Sequence, residues 1–254
     1  MDSQFASMYR QLHERHWWWR ARQCVVLEVV RRWNGNTPQR FLDIGCGDGL
    51  LFDELSRWGE VEGVEVDAAI VSDGNPWRDR IYIGPFDEQF QPGRRYTTIL
   101  MLDVLEHLPH PQAALQQALG LLEPDGKLII TVPAFRLLWT THDLLNHHYT
   151  RYTKATLSQV AMPWGQIKES RYFFHWLFAA KLGVRLKEML LTTEPRSPQL
   201  PHPWVNAACY SFSRCEEMLC RKLPIPLGCS LLAVLTPTPA AQLAVFPPAE
   251  MASC

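Results

Sequence analysis

The sequence predicts an α/β fold built on a parallel sheet, and three observations support this. Short apolar runs alternate with helix-like stretches between residues 40 and 132. A glycine-rich turn at residues 43–49 directly follows the first apolar run. The chain has 254 residues, of which 47% are hydrophobic and 20% charged, so it can bury a sizeable core. Strands that alternate with helices favour a parallel sheet covered on both faces.

Each element of the first half follows from its local pattern. Apolar residues at helical spacing predict an N-terminal helix over residues 5–33, ended by the Asn-Gly-Asn-Thr-Pro run at residues 34–38. The pattern then predicts strand 40–44, helix 49–58, strands 61–66, 80–83 and 96–102, helix 111–122, a turn at 123–126 and strand 126–132.

The alternation loosens after Pro133. The pattern predicts helix 154–162 with Thr153 as its N-cap, a sixth strand at 166–172, an amphipathic helix at 173–191, a helix at 204–223 and a last buried strand at 228–235. We expect an N-terminal helical cap (1–37), a core (38–172), a helical insertion (173–227), a closing strand (228–236) and a disordered Pro/Ala-rich tail (237–254).

Composition narrows the class of protein. The formal net charge of −1 gives no global basic field, so we expect no nucleic-acid partner. The seven cysteines are odd in number and form no Cys-x-x-Cys pair, which indicates a reducing, cytoplasmic setting. We expect neither a secretory leader nor a membrane-spanning helix. Aromatic residues lie outside the alternating strands and helices at Trp17–Trp19, Phe135, Trp139, Tyr149, Tyr152 and 172–178, which favours a ligand that is apolar or bears a sugar.

The glycine turn predicts a ligand site. Glycines let the backbone approach a ligand closely, and Leu50 stands where a dinucleotide-binding turn needs glycine, which argues against NAD and FAD. Glu65 ends the second predicted strand, twenty positions after Gly45, where a carboxylate can accept both hydroxyls of a ribose. Phe86 and Asp87 follow the third strand and either flank an adenine or are ordinary loop residues.

Four motifs in order resemble the class I S-adenosylmethionine-dependent methyltransferases: FLDIGCGDG at 41–49, Glu65, LDVLEHL at 102–108 and LEPDGKL at 122–128. The resemblance implies a Rossmann-like, seven-stranded, mostly parallel sheet and S-adenosylmethionine as cofactor. It implies that the glycine turn holds the methionine part, Glu65 the ribose, and Phe86 with Asp87 the adenine. Pro85 departs from the family pattern and weakens the assignment of Asp87. The expected cofactor contacts are Asp43, Gly45, Cys46, Gly47, Gly49, Glu65, Val66, Phe86, Asp87, Leu102, Asp103, His107 and Trp18.

Further motifs narrow the resemblance. HWWWRAR at 16–22, VPAFRLLW at 132–139, His142 with Asp143, and the segment 148–153 resemble a bacterial subgroup associated with glycan and lipid-linked saccharide pathways. The expected activity is methyl transfer to oxygen of a small molecule or lipid-linked saccharide. Two alternatives stay open: a non-catalytic S-adenosylmethionine-binding module, and a methyltransferase of a quinone or natural-product pathway.

Polar side chains after the fourth and fifth strands are the catalytic candidates. They are His107, His142, Asp143, His148 and Tyr152. Their density favours general acid–base work, and the alternative is a hydrogen-bonded network that fixes a lid. We predict no metal, because the spacing of His142, His147 and His148 matches no standard site. Trp18 either closes over the cofactor or packs its helix on the sheet.

The predicted insertion is amphipathic and carries several basic residues between positions 173 and 222. Such a face can lie on a membrane surface or roof a hydrophobic substrate, or it can simply dock on its own domain. Peripheral membrane contact is therefore one prediction. Oligomeric state does not follow from the sequence.

Overall fold

The computed structural model describes residues 10–34, 38–191 and 199–245. Its strands are β1 (Gln39–Ile44), β2 (Gly59–Glu65), β3 (Ile81–Ile83), β4 (Tyr96–Leu102), β5 (Leu122–Pro133), β6 (Gly165–Phe173) and β7 (Ser230–Pro237). They form one seven-stranded sheet in the order β3-β2-β1-β4-β5-β7-β6. The first five strands pair in parallel, and β7 runs antiparallel to both β5 and β6. The predicted Rossmann-like, mostly parallel sheet is confirmed.

Helices cover both faces of this sheet. They are α1 (Trp17–Asn34), α2 (Phe52–Leu55), α3 (Pro111–Gly120), α4 (Thr141–Leu145), α5 (Lys154–Ala161), α6 (His175–Leu190), α7 (Pro203–Cys220) and α8 (Pro239–Val245). Short 3₁₀ turns lie at Arg78–Arg80, Leu105–His107 and Arg136–Leu138. The helices α6 and α7 stand between β6 and β7, where the sequence predicts a helical insertion before the last strand.

Alternate residues of the central strands enter two separate cores. Leu42 and Ile130 pack in one core with α3, α5 and α8, whereas their neighbours Phe41 and Ile129 pack in the other with α1 and α2. All four side chains are fully buried. Because side chains of a strand alternate between faces, apolar residues on both sides of the sheet require helices on both sides.

The N-terminal helical segment differs from the prediction by a break. Residues 10–15 form a separate helical segment, the helix is interrupted at His16, and α1 begins at Trp17. At the break, the amide of Trp18 donates to Nδ1 of His16 over 3.1 Å, so the histidine ring replaces a backbone acceptor. The predicted helical residues 5–9 lie outside the described residues.

Two local predictions are wrong. The segment 123–126, predicted as a turn, lies inside β5. Tyr96 of β4 pairs with Leu122 and Thr98 pairs with Lys127, so the extra residues of β5 are absorbed as an irregularity in the pairing with β4. The tail is also ordered in part, because Pro239–Val245 forms α8 and Ala241 is fully buried. Residues 246–254 lie outside the described residues.

The carboxyl ends of the parallel strands meet at one edge of the sheet, and the glycine turn lies there after β1. A Cβ added to Gly63 of β2 would stand 2.5 Å from Sγ of Cys46 and 2.7 Å from Cζ of Phe52. Only glycine leaves room for the turn to pack against β2. The fold thus places the glycine turn and the end of β2 side by side.

Candidate functional site

The backbone of the glycine turn needs glycine. Gly45, Gly47 and Gly49 all have positive φ angles, of 73°, 57° and 66°. A Cβ added to Gly45 would also lie 2.7 Å from Cγ2 of Val104. Side chains other than hydrogen would therefore strain the turn and collide with the segment after β4. The turn thus has a backbone conformation that would let a ligand approach its main chain closely.

Glu65 lies at the end of β2, and its carboxylate can accept more hydrogen bonds than it receives from the protein. Its Oε2 accepts from the amide of Gly47 over 2.9 Å, and its Oε1 accepts from the amide of Asp67 over 3.0 Å. Each carboxylate oxygen has two acceptor directions, so one on each oxygen is left for a ligand hydroxyl. The next side chain, Val66, is 71% exposed. An acceptor pair beside an exposed apolar side chain suits a nucleoside.

Asp43 and Cys46 are buried beneath the turn. Burial raises the pKa of Asp43 to about 7, nearby Glu65 adds to the rise, and Arg22 opposes it. Burial also raises the pKa of the Cys46 thiol well above its ordinary value, and its Sγ lies 3.5 Å from the carbonyl oxygen of Gly47. These two side chains belong to the inner layer of the turn, and Cys46 offers a ligand only its backbone.

Phe86 and Asp87 follow β3. The Phe86 ring centre lies 5.7 Å from that of Phe90, and Phe86 packs against the buried core. The Asp87 Oδ1 accepts from the amide of Gln89 over 2.9 Å. Both side chains are half-buried, so contact with an adenine and a purely local role are each compatible with these positions.

The end of β4 receives a buried arginine from α1. Asp103 has a φ of 56°, and its Oδ2 lies 2.7 Å from Nη2 of Arg22. The same Arg22 nitrogen donates to Oγ1 of Thr131, which in turn donates to Oδ1 of Asp103 over 3.1 Å. The neighbouring Leu102 packs partly in the core. Sequence reasoning missed Arg22, whose only signal was its place in the HWWWRAR motif.

A second arginine of the N-terminal segment reaches the glycine turn. Arg10 forms an ion pair with Asp48, which is almost fully buried and also accepts from Ser72 and Asn75. Burial opposes ionisation of Asp48, but the hydrogen bonds from Arg10 and Ser72 outweigh it and lower the pKa of this carboxyl. The N-terminal segment is therefore pinned to both the glycine turn and the end of β4. Sequence reasoning missed this pair too.

Trp18 lies over Arg22 in the aromatic layer between α1 and α6. Its ring centre is 6.0 Å from that of Phe174, and Cζ of Arg22 is 5.7 Å from the Trp18 ring. Trp17 packs against Trp176, with ring centres 5.5 Å apart. These contacts pack α1 against the start of α6. Arg22, which lies by the Trp18 ring, also reaches Asp103 at the end of β4.

The loop after β5 is organised around one buried carboxylate. Asp143 is fully buried, and its Oδ1 accepts from Nε of Arg151 and contacts Nδ1 of His148, both over 2.8 Å. Its Oδ2 accepts from Nη2 of Arg151 and from the amide of Thr140. Burial alone would raise the pKa of Asp143, but the hydrogen bonds from His148 and Arg151 outweigh it and hold the pKa well below its ordinary range. This arrangement fixes the His148 ring.

His107 meets His148 from the other side. The two ring centres lie 4.7 Å apart with the rings edge to face. Glu106 is buried next to them, and burial together with Asp103 raises its pKa well above the ordinary value. Its Oε2 has no hydrogen-bond partner among the described residues. One ligand atom each from Glu106, His107 and His148 lie within 4.8 Å of one another, a set that can hold a metal ion, so our expectation of no metal stays a prediction.

Tyr152 and His142 occupy different surroundings. The Tyr152 ring is 2% exposed, and its hydroxyl donates to the carbonyl oxygen of Leu105 over 3.2 Å. Burial raises the pKa of this hydroxyl well above its ordinary value. His142 is exposed, and its Nε2 contacts Nδ2 of Asn146 over 3.1 Å. The structure thus brings His107, Asp143 and His148 together. Tyr152 supports the 3₁₀ turn at Leu105–His107 through its hydrogen bond to Leu105. His142 lies apart from this group.

The helices α6 and α7 expose large apolar side chains. Leu190 is 83% exposed, Trp204 69% and Met218 67%. Among the described residues, no helix is long and apolar enough to cross a membrane. Two hydrogen bonds link α6 to the loop after β5. The amide and Oγ1 of Thr141 both donate to the carboxylate of Glu188 on α6.

Comparison with known proteins gives a family match over this region. The family model described as "Methyltransferase domain" matches residues 18–177. A ubiquinone biosynthesis O-methyltransferase of Xanthomonas euvesicatoria is 27% identical over 201 residues, which cover 76% of this chain and 78% of the relative. One of Rhodopseudomonas palustris is 31% identical over 98 residues, 36% of this chain and 38% of the relative.

Solved structures of low identity share the fold. A SAM-dependent methyltransferase from Archaeoglobus fulgidus aligns with a TM-score of 0.52 at 13% identity, covering 85% of this chain and 94% of that one. A TehB-like SAM-dependent methyltransferase from Corynebacterium glutamicum aligns with a TM-score of 0.52 at 16% identity, covering 92% and 97%. At these identities the likeness concerns the fold alone.

Proposed function

Because this chain belongs to the methyltransferase-domain family and is an S-adenosylmethionine-dependent methyltransferase, we propose that its acceptor is a ring hydroxyl of a quinol-type molecule. The observation that carries this proposal is the fully buried Asp143, which holds the His148 ring in one orientation beside the end of β4. A phenolic hydroxyl must lose its proton during methyl transfer, and an oriented histidine can take it.

The residues of the turn suit the cofactor. We propose that the backbone of Gly45 to Gly49 faces the methionine part, that the free acceptor directions of Glu65 take the ribose hydroxyls, and that Val66 contacts the adenine. S-Adenosylmethionine supplies an electrophilic methyl group on a sulfonium. Arg22 holds Asp103 in position at the end of β4.

We propose that the residues of the loop after β5 have different roles, with His148 as the proton acceptor. The hydrogen bond from Nδ1 of His148 to Asp143 leaves the other ring nitrogen as the proton acceptor, and the ionised carboxylate stabilises the imidazolium that forms. Arg151 keeps Asp143 ionised, which makes both of them positioning residues. Tyr152 serves as structural support, because its hydroxyl is already bonded to the backbone.

The named relatives support a quinone-type acceptor better than a saccharide. Both curated relatives described above carry ubiquinone biosynthesis in their names. The glycan interpretation rests on the resemblance of short motifs alone.

Quinone precursors with isoprenoid tails partition into membranes, so we also propose that the exposed apolar face of α6 and α7 rests on a bilayer surface. Flotation of the protein with phosphatidylcholine vesicles checks this contact, and a protein that stays with the soluble fraction contradicts it.

An acceptor panel tests the proposed function. The purified chain is incubated with S-adenosylmethionine and either a prenylated catechol or an isoprenoid-linked hexose. We expect S-adenosylhomocysteine to accumulate only with the catechol, whose mass increases by one methyl group. Methylation of the hexose alone, or of neither compound while the cofactor binds, would contradict a quinol-type acceptor.

Substitution of Glu65 by alanine is expected to weaken binding of S-adenosylhomocysteine by at least roughly a hundredfold. Two charge-assisted hydrogen bonds are lost, each contributing on the order of 1.5–3 kcal/mol. Isothermal titration calorimetry measures the effect. Glu60→Ala is the matched control, because Glu60 is an exposed carboxylate on the same strand that pairs with Arg94. Equal affinities of the two variants would remove Glu65 from the cofactor site.

A further inference from the structure

A cleft separate from the candidate active site opens between α1 and α7. Its volume is about 760 Å³, and its lining includes Glu28, Arg31, Tyr210, Arg214 and Met218. Glu28 lies six residues beyond Arg22, which corresponds to about 9 Å along a helix axis. Since Arg22 reaches the end of β4, the cleft stands further along α1, away from the glycine turn.

The acidic residues of this cleft already have partners. Glu28 forms an ion pair with Arg221. Glu217 forms a two-pronged pair with Arg171, in which Nη1 of Arg171 donates to Oε2 over 3.0 Å. Arginines of the protein itself, one in the lining and one outside it, therefore neutralise the negative charge of the cleft.

Two arginines of the cleft remain without such a partner. Among the described residues, no carboxylate lies within ion-pair distance of Arg31 or Arg214. The Nη1 atom of Arg214 is buried and has no hydrogen-bond acceptor in the described structure. A buried donor of a charged group without an acceptor is costly, and rotation of the half-buried Arg214 side chain toward an anion in the cleft would give this nitrogen an acceptor.

The other lining groups suit a phosphate ester. Arginine forks match the oxygens of a phosphate group, and the exposed Met218 offers apolar contact beside them. The Tyr210 ring is held in place by Arg20, whose Cζ lies 4.3 Å from the ring centre, and its hydroxyl is 3.6 Å from Sγ of Cys24. The walls of the cleft are thus built by contacts that need no ligand.

We propose that the cleft between α1 and α7 binds the phosphate group of a phosphorylated ligand through Arg31 and Arg214. The ligand is either the headgroup of an anionic phospholipid or a free phosphorylated small molecule. The first source places α7 against an anionic bilayer, and the second gives the enzyme an additional ligand site.

Two measurements with the full chain separate these sources. Calorimetric titration with glycerol 3-phosphate reports on free phosphate esters. Sedimentation with vesicles of phosphatidylglycerol and phosphatidylcholine, compared with phosphatidylcholine alone, reports on the headgroup. Arg31→Gln and Arg214→Gln each remove one guanidinium, and Arg80→Gln is the control, because Arg80 is an exposed arginine next to β3.

We expect both cleft variants to bind roughly tenfold more weakly than wild type in at least one of the two measurements, with Arg80→Gln unchanged. A loss in the titration identifies a free phosphate ester, and a loss only with the anionic vesicles identifies the lipid headgroup. The proposal is overturned if wild type binds neither ligand, or if the cleft variants match Arg80→Gln in both measurements. Unchanged urea unfolding curves establish that the variants are folded.

Discussion

Replacing His148 by glutamine is expected to lower kcat by roughly a hundredfold or more, because general-base catalysis typically contributes about 10²–10⁴-fold. Glutamine can keep a hydrogen bond to Asp143, which now lies 2.8 Å from Nδ1 of His148. It cannot take a proton from a hydroxyl at neutral pH. The substitution therefore removes the proposed proton acceptor and leaves most of the packing of the loop intact.

Initial rates at saturating S-adenosylmethionine measure this effect, and titration with S-adenosylhomocysteine shows separately whether the variant still binds the cofactor. His110→Gln is a suitable control, because His110 is an exposed histidine just before α3. A kcat of His148→Gln within about threefold of wild type would leave positioning alone as the source of catalysis.

The fold could be predicted from short-range patterns. Alternation of apolar runs and helical stretches requires a sheet covered on both faces, and each residue from Leu128 to Ile130 is indeed fully buried. The segment 123–126 was mispredicted because Pro and Gly favour a turn locally, while pairing with β4 draws the same residues into a strand. Likewise, the Pro/Ala-rich composition after residue 237 predicts disorder, but Ala241 is buried by contacts with distant residues that composition does not indicate.

The candidate site could be predicted only in part. Histidines close together in the chain indicate a polar loop, but which ring meets Asp143 depends on side-chain directions that spacing does not define. His148 contacts the buried carboxylate, whereas the adjacent His142 is exposed. Long-range ion pairs are harder still. Arg22 and Asp103 are far apart in sequence, and no local pattern predicts that α1 delivers an arginine to the end of β4.

Asp143→Asn is expected to lower the free energy of unfolding by about 3 kcal/mol, because removing one partner of a buried ion pair leaves the other charge uncompensated. The charge left behind is that of Arg151, which is itself buried and loses a carboxylate bonded through both oxygens. Urea denaturation at neutral pH measures the difference. Glu54→Gln is the control, because Glu54 pairs with Arg57 at the surface and such pairs contribute about 0–1 kcal/mol.

The pH dependence distinguishes loss of this ion pair from a simple packing defect. The pKa of Asp143 is lower in the folded state than in the unfolded chain, where it is about 4. Its stabilisation is therefore fully present above about pH 4 and is lost as the pH falls toward the folded-state pKa. The stability gap between wild type and Asp143→Asn should consequently narrow below about pH 4. A gap that stays constant across this range would mean that the asparagine disturbs packing and that the carboxylate charge contributes little.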